Sequence, residues 1–364
     1  MSPMLKSVEK VGIKAVRRKR NPIEIPPEAF FTETEILRGE FAKLIHASDS
    51  NRVAIIPSVS YGISTAAQNL KIGKGEEVIV ASAQFPSNYY PWKRICDERG
   101  ASITTIAPPD TLEDRGAKWN EKILTAITTK TKAVAIAHTH WADGTKFDLQ
   151  AIRKKTRELG AALVIDGTQS VGAMPFDAST IQPDALIVGG YKWLLGPYSI
   201  GLAYFSDYFL DGKPLEENWI ARKNSEDFSK LIHYEEAYQE GALRFDVGEK
   251  SNFILVPMMI AALKQLNKWK VENIQAYCEH ITRASVEKLR ERGFWIEHEN
   301  FRGSHLIGIR VPAGFDMQAA RERLLKNRIY VSYRGDSIRL APNVYNDESD
   351  VKKFVKVLCE RSAK

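Results

Sequence analysis

A chain of 364 residues, 44% hydrophobic and 27% charged, has the composition of a folded protein with room for two domains, which excludes extensive disorder. Its three cysteines, Cys96, Cys278 and Cys359, are far apart and odd in number, which excludes a disulfide framework and a Cys-x-x-Cys metal site. The net charge of +7 is partly gathered in KAVRRKRNP at 14–22, but 45 acidic residues are spread over the chain without a nucleic-acid-binding signature, so no nucleic-acid partner is expected.

The start MSPMLKSVEK carries no signal-peptide core, and no apolar run is long enough for a bilayer; the expected location is the cytoplasm, with no membrane partner. From about residue 50 to 205, short apolar strands alternate with amphipathic helices. RVAIIPS, EEVIVAS, ASITTIAP, KAVAIAHTH, AALVIDGT, DALIVGG and IGLAYFS each hold four or more apolar residues between polar or turn-forming neighbours. Among the helix-like stretches, LQAIRKKTRELG ends in basic residues and then Gly160, as a helix C-terminus should. Such alternation predicts an α/β fold with a mainly parallel sheet covered by helices. After about residue 250 a helical pattern runs from Val256 to Arg290 with a break near Glu272. HLIGIRVP and RIYVSYRG then flank the helix MQAARERLLKN, the pattern of a smaller α+β domain. The expected division is an N-terminal segment at 1–30 packing with the small domain, a large domain at 31–250 and a small C-terminal domain at 251–364.

In an open parallel sheet, ligands collect at the carboxyl ends of the strands, so residues just after each apolar run carry the chemistry. These include Ser58, Ser60 and Tyr61; Phe85; His140 and Trp141; Asp166 and Gln169; and Tyr191 and Lys192. One lysine, one carboxylate, an amide donor, an aromatic and several hydroxyls suit pyridoxal phosphate. Lys192 would hold the aldehyde as a Schiff base and later move protons at the substrate α-carbon. Asp166 would keep the ring nitrogen protonated, Gln169 would donate to the ring oxygen, and Phe85 would cover the ring. Ser60 and Tyr61, in SVSYG before a helix-like stretch, would add hydroxyls to a helix N-terminus that holds the phosphate. No metal is expected.

The segment VIDGTQSVGAMPFDASTIQPDALIVGGYKWLLGPYSIGLAYF resembles the signature of class V aminotransferases, a branch of the fold-type I pyridoxal-phosphate enzymes that includes cysteine desulfurases, kynureninases and isopenicillin N epimerase. QFPSNYYPW at 84–92, RFDVGEKSNF at 244–253 and IRLAPNVYNDESDV at 338–351 are similar to further motifs of that family. The resemblance implies a large cofactor domain, a small C-terminal domain, and a homodimer with active sites at the interface. It also places the substrate-carboxylate arginine in the C-terminal region, where Arg334 is the preferred ligand and Arg339, within IRLAP, is expected to be structural. His140 is a further candidate for the substrate pocket.

Departures from the family pattern bear on the reaction. Phe85 stands where many relatives have a stacking histidine, and Trp141 near where desulfurases have an asparagine. Gly189 and Tyr191 replace a hydroxyl residue and a histidine, and Glu249 stands where desulfurases have a threonine. Relatives usually carry a further N-terminal segment at the site edge, so the expectation is that either the true start lies upstream or this subgroup does without that segment. The expected function is a pyridoxal-phosphate enzyme acting on an amino acid, first an aminotransferase. A lyase or desulfurase, an epimerase, and a catalytically silent binding paralogue are the alternatives. A desulfurase requires a mobile cysteine in the C-terminal domain, and residues 301–342 contain none.

Overall fold

The computed structural model describes residues 1–360. Seven strands form one sheet: β1 (Val53–Ile56), β2 (Glu77–Ala81), β3 (Ser102–Ile106), β4 (Thr131–Ala137), β5 (Ala162–Asp166), β6 (Ala185–Gly189) and β7 (Gly201–Phe205). They lie in the order β1-β7-β6-β5-β4-β2-β3, parallel except where β7 runs against β6 and β1. All seven correspond to the predicted apolar runs. Alternation along the strands builds two cores, one on each face. Val134, Ile136, Leu163, Ile165, Leu186 and Val188 enter one core. Ala133, Ala135, Ala162, Val164, Ala185 and Ile187 enter the other. By the same period, Ala137, Asp166 and Gly189 continue the second, alanine-rich face at the strand ends.

The helices are α1 (Lys6–Lys19), α2 (Ala29–Leu44), α3 (Val59–Asn69), α4 (Tyr90–Arg99), α5 (Arg115–Ala126), α6 (Leu149–Glu158), α7 (Ala178–Ile181), α8 (Leu255–Trp269), α9 (Val271–Glu291), α10 (Met317–Lys326) and α11 (Glu348–Cys359). Local chemistry sets several ends: the Ser58 hydroxyl accepts from Tyr61 N at 3.2 Å to start α3, and Asp148 accepts from Ala151 N at 3.0 Å to start α6. Gly160, at φ +68°, follows the end of α6 in the left-handed region. Among the described residues, no helix is long and apolar enough to cross a membrane.

A second, antiparallel sheet has the order β10-β11-β9-β8, from β8 (Trp295–Ile296), β9 (Ile307–Arg310), β10 (Ser332–Arg334) and β11 (Ser337–Leu340). Strand β11 lies where the sequence suggested only a structural IRLAP segment. Val256, Leu263, Ile274 and Cys278 belong to the large core, whereas Val286 and Leu289 belong to the small one. In the N-terminal segment, Val8 packs on Met258 and Ala262 of α8. The break expected near Glu272 occurs at Lys270, whose φ is +65°.

The RFDVG stretch is pinned from beneath. Asp246 accepts from Ile55 N at 2.8 Å and from Arg38 Nη1 at 3.1 Å, and the Lys250 ammonium lies 3.2 Å from its carboxylate. This fully buried group satisfies its charges internally, as burial requires.

Two buried imidazoles set an acid limit on stability. Burial pushes His138 down to about 3, with the charges of Lys146 and His305 adding to it, and burial pushes His305 down to about 4. Both stay neutral in the folded chain while the unfolded chain takes up protons below the ordinary value of 6.5. Stability is therefore full above that value and lost as pH falls toward the folded values, by about 1.4 kcal/mol per pH unit for each group. Denaturant melts at pH 7 and pH 5 should show this loss, and His138→Asn should remove part of it. Equal stability at both pH values contradicts the assignment.

Candidate active site

The alanine-rich face leaves a cavity of about 280 Å³ at the ends of β4, β5 and β6. Asp166, Gln169, Phe85, Ser60, Tyr191 and Lys192, all chosen from the sequence, line it. Asp166 ends β5, and its carboxylate accepts from Thr168 N at 3.0 Å. Thr168 in turn accepts from Gly189 N at 3.2 Å, which ties the ends of β5 and β6 together. The Gln169 side chain accepts from Trp193 Nε1 at 3.3 Å, and its carbonyl accepts from the buried His305 at 2.7 Å. A Cβ at Gly189 would meet Val59 at 3.2 Å and Tyr191 at 3.3 Å, so a side chain there would crowd the cavity floor.

Lys192 lies in the loop from β6 to β7, a segment held by Gly190 N donating to Ile200 O and Gly196 N to Gly190 O, both at 2.9 Å. Leu195 and Ser199 of this loop have φ of 55° and 64°, a strained region for side-chain-bearing residues. The Lys192 ammonium lies 5.3 Å from the centre of the Phe85 ring and 5.6 Å from that of Tyr191. Burial holds it below the ordinary lysine value. Asp166 opposes that shift, and the charges of Arg339 and Arg334 add to it. That shift weakens the hold of the amine on its proton, which favours its use as a nucleophile and proton acceptor.

The aromatic wall differs in detail from the expected stack. Phe85 meets Trp141 edge to face at 5.5 Å, and Trp141 Nε1 donates to the Ala83 carbonyl at 2.7 Å. Trp141 is thus a wall of the cavity. Glu249 is exposed and lies outside the lining of this cavity.

Two candidates lie elsewhere. Tyr61 is turned from the cavity by the helical rotation after Ser60; its hydroxyl is buried, and burial together with the Glu216 and Asp246 carboxylates raises its pKa. His140 is buried behind the sheet end, one ring nitrogen 3.0 Å from Asp143 and the other 3.1 Å from the Ser82 carbonyl. Both ring nitrogens are engaged, so His140 is a structural link.

The arginines also exchange places. Arg339, not Arg334, lines a second cavity of about 420 Å³ that shares Lys192 and Gln169 with the first. Arg334 lies over the Trp141 ring at 4.8 Å. Arg339 sits in an apolar-looking run that forms a strand, and the alternation of strand faces turns it to this cavity.

Four residues that the sequence reading passed over reach these cavities. Tyr198 and Ser199 line the first; GPYSIG repeats the hydroxyl-rich composition of SVSYG, a signal that was available. Met1 and Ser2 line the second, and Ser2 N donates to the Tyr191 carbonyl at 3.3 Å. The segment before α1 therefore contributes to the edge of this cavity.

The donor set fits pyridoxal phosphate. An amine stands beside an aromatic wall, a buried carboxylate lies at the cavity base, and the hydroxyls of Ser58, Ser60, Tyr198 and Ser199 gather near the N-terminus of α3.

Comparisons with known proteins agree with this geometry. The chain is 28% identical over 324 residues to an uncharacterized aminotransferase, YcbU, of Bacillus subtilis, covering 89% of this chain and 82% of the relative. It is 27% identical over 256 residues to a probable cysteine desulfurase of Pyrococcus abyssi, covering 70% of this chain and 61% of the relative. Among solved structures, a mutant of C-DES with glycine covalently linked to its PLP cofactor has a TM-score of 0.85 at 18% identity, covering 98% of this chain and 93% of that one. The cysteine desulfurase CsdA of Escherichia coli has a TM-score of 0.78 at 18% identity, with the same coverage. These two likenesses establish the fold, fold-type I. The family model for Aminotransferase class-V matches residues 27–354, and on that match the chain belongs to the class V aminotransferase family of pyridoxal-phosphate enzymes.

Proposed function

We propose that the chain is an aminotransferase for an amino acid, with Lys192 and Asp166 as its catalytic groups. The observation that carries this reading over desulfuration is that no cysteine lines either cavity. Cys96 and Cys278 are buried, and burial pushes the Cys278 thiol up to about 12, far from a thiolate at neutral pH. Cys359 ends α11.

Pyridoxal phosphate, when bound, supplies an aldehyde conjugated to an electron-withdrawing ring, which weakens the bonds at the α-carbon of an attached amino acid. The chain's residues do the rest. Lys192 Nζ takes the proton from the substrate α-carbon, a role its burial favours by weakening the hold of the amine on its proton. Asp166 holds a proton on the ring nitrogen. Gln169 donates to the ring oxygen, while Phe85, Trp141 and Tyr191 wall the ring in. Ser58, Ser60, Tyr198, Ser199 and the free N–H groups opening α3 hold the phosphate. Arg339 binds a substrate carboxylate at the edge shared with Lys192. A homodimer and a cytoplasmic location belong to the same proposal. Tyr198 supports the dimer: it lines the cavity yet remains 64% exposed, a surface for a second copy to cover.

The test is to mix holoenzyme with a panel of amino acids in the absence of an acceptor. An aminotransferase releases one keto acid per bound cofactor and stops until a keto acid is added. Continued keto acid or sulfur release points to a lyase or desulfurase, and inversion without keto acid points to an epimerase. Replacing Cys96, Cys278 and Cys359 together by alanine should leave turnover largely intact, apart from a packing cost at the buried sites. A folded triple variant that binds cofactor and has lost turnover overturns the reading in favour of a desulfurase.

A further inference from the structure

We propose that the substrate carries a second acid group besides its α-carboxylate: it is a two-carboxylate amino acid of the aspartate or glutamate kind. This rests on the reading above that an amino acid enters beside Lys192.

The hairpin of β10 and β11 pairs Ser332 with Arg339 and Arg334 with Ser337. Arg334 is two residues along from Ser332, so the two arginines stand on one face as diagonal neighbours. Both are half-buried. Among the described residues, neither guanidinium meets a carboxylate. Arg339 donates to the Trp141 carbonyl and, at 3.4 Å, to the Ser332 hydroxyl; Arg334 donates to the Tyr333 carbonyl at 2.6 Å. The Nε of each is buried without a partner in the protein.

The buried arginines Arg38, Arg115 and Arg302 each meet a carboxylate, those of Asp246, Asp143 and Glu299. Placing two like charges together without an anion is unfavourable, and Arg339 is pulled down to about 10 by its burial and by the charge of Arg334.

The cofactor phosphate does not account for the pair, because neither arginine lines the cavity that holds Ser58, Ser60 and the start of α3. A single α-carboxylate satisfies one guanidinium and leaves the other unmatched. A second carboxylate on the side chain satisfies both, each by bidentate hydrogen bonding. Arg339, which shares a cavity with Lys192, takes the α-carboxylate; Arg334, which lies over the Trp141 ring, takes the side-chain acid.

Calorimetric titration of holoenzyme with succinate and glutarate, against butyrate and valerate of matching length, tests the pair without turnover. At least one dicarboxylate should bind at least tenfold more tightly than its monocarboxylate match. In Arg334→Gln that ratio should fall toward one, and Arg334→Lys should recover part of it. The kcat/KM ratio of glutamate or aspartate over norvaline should fall by a similar factor in Arg334→Gln. Equal binding of mono- and dicarboxylates by the wild-type holoenzyme, or an unchanged ratio in Arg334→Gln, overturns the proposal. If neutral amino acids are transaminated and acidic ones ignored, the aminotransferase reading stands and the two-acid substrate falls. If dicarboxylates bind preferentially but no amino group is ever transferred, the reaction falls and the two-acid site stands.

Discussion

Lys192→Ala is expected to lower turnover by a factor on the order of 10⁴ or more, since the variant lacks both the amine that holds the cofactor and the base at the α-carbon. Lys192 is the only lysine lining the smaller cavity among the described residues, so no neighbour stands ready to substitute. The hydroxyls around the start of α3 remain, and the variant should still bind pyridoxal phosphate, now releasably. Borohydride reduction of the wild-type holoenzyme followed by peptide mapping should label the peptide containing YKWLLGP. A label on a different lysine, or a Lys192→Ala variant with near-normal turnover, overturns the assignment.

Asp166→Ala should cost on the order of 10³-fold in turnover, roughly 4 kcal/mol in the barrier, because a buried ionic partner is lost from the ring nitrogen. Asp166→Asn is the sharper variant. It preserves an acceptor for the Thr168 N–H and almost the same volume, so a comparable loss isolates the charge from the fold. Gln169→Ala should lose less than about tenfold, since a neutral hydrogen bond to the ring oxygen changes the ring's electronics far less. Equal losses at the two positions would contradict the division of labour between them.

Much of this was legible in the sequence because a parallel sheet writes itself plainly. Strands β4, β5 and β6 are buried on both faces, so they read as nearly unbroken apolar runs, and the residue that ends the run is carried to the ligand edge. Asp166 and Lys192 were found in that way. Less legible were positions whose direction depends on rotation or pairing. Tyr61 follows Ser60 by one residue, which in a helix is a turn of about 100° and a different neighbourhood. His140 lies three residues past the end of β4, where the chain folds back onto Asp143. Arg339 sits in a four-residue strand whose apolar neighbours hid its direction. The approach of Ser2 to Tyr191 leaves no mark in the sequence, being a contact between segments nearly two hundred residues apart.

Helix α9 gives the arginine hairpin a particular mechanical setting. Its first turns are set in the large core through Ile274 and Cys278, and its last turns in the small core through Val286 and Leu289. A flexible linker between the units would let the guanidinium groups sample a broad volume, and their effective concentration at Lys192 would be correspondingly dilute. A continuous 21-residue helix acts instead as a caliper, fixing one jaw to the sheet that carries Asp166 and the other to the sheet that carries Arg334 and Arg339. The ordering entropy of bringing those groups together is then met once, during folding, rather than at each encounter with substrate.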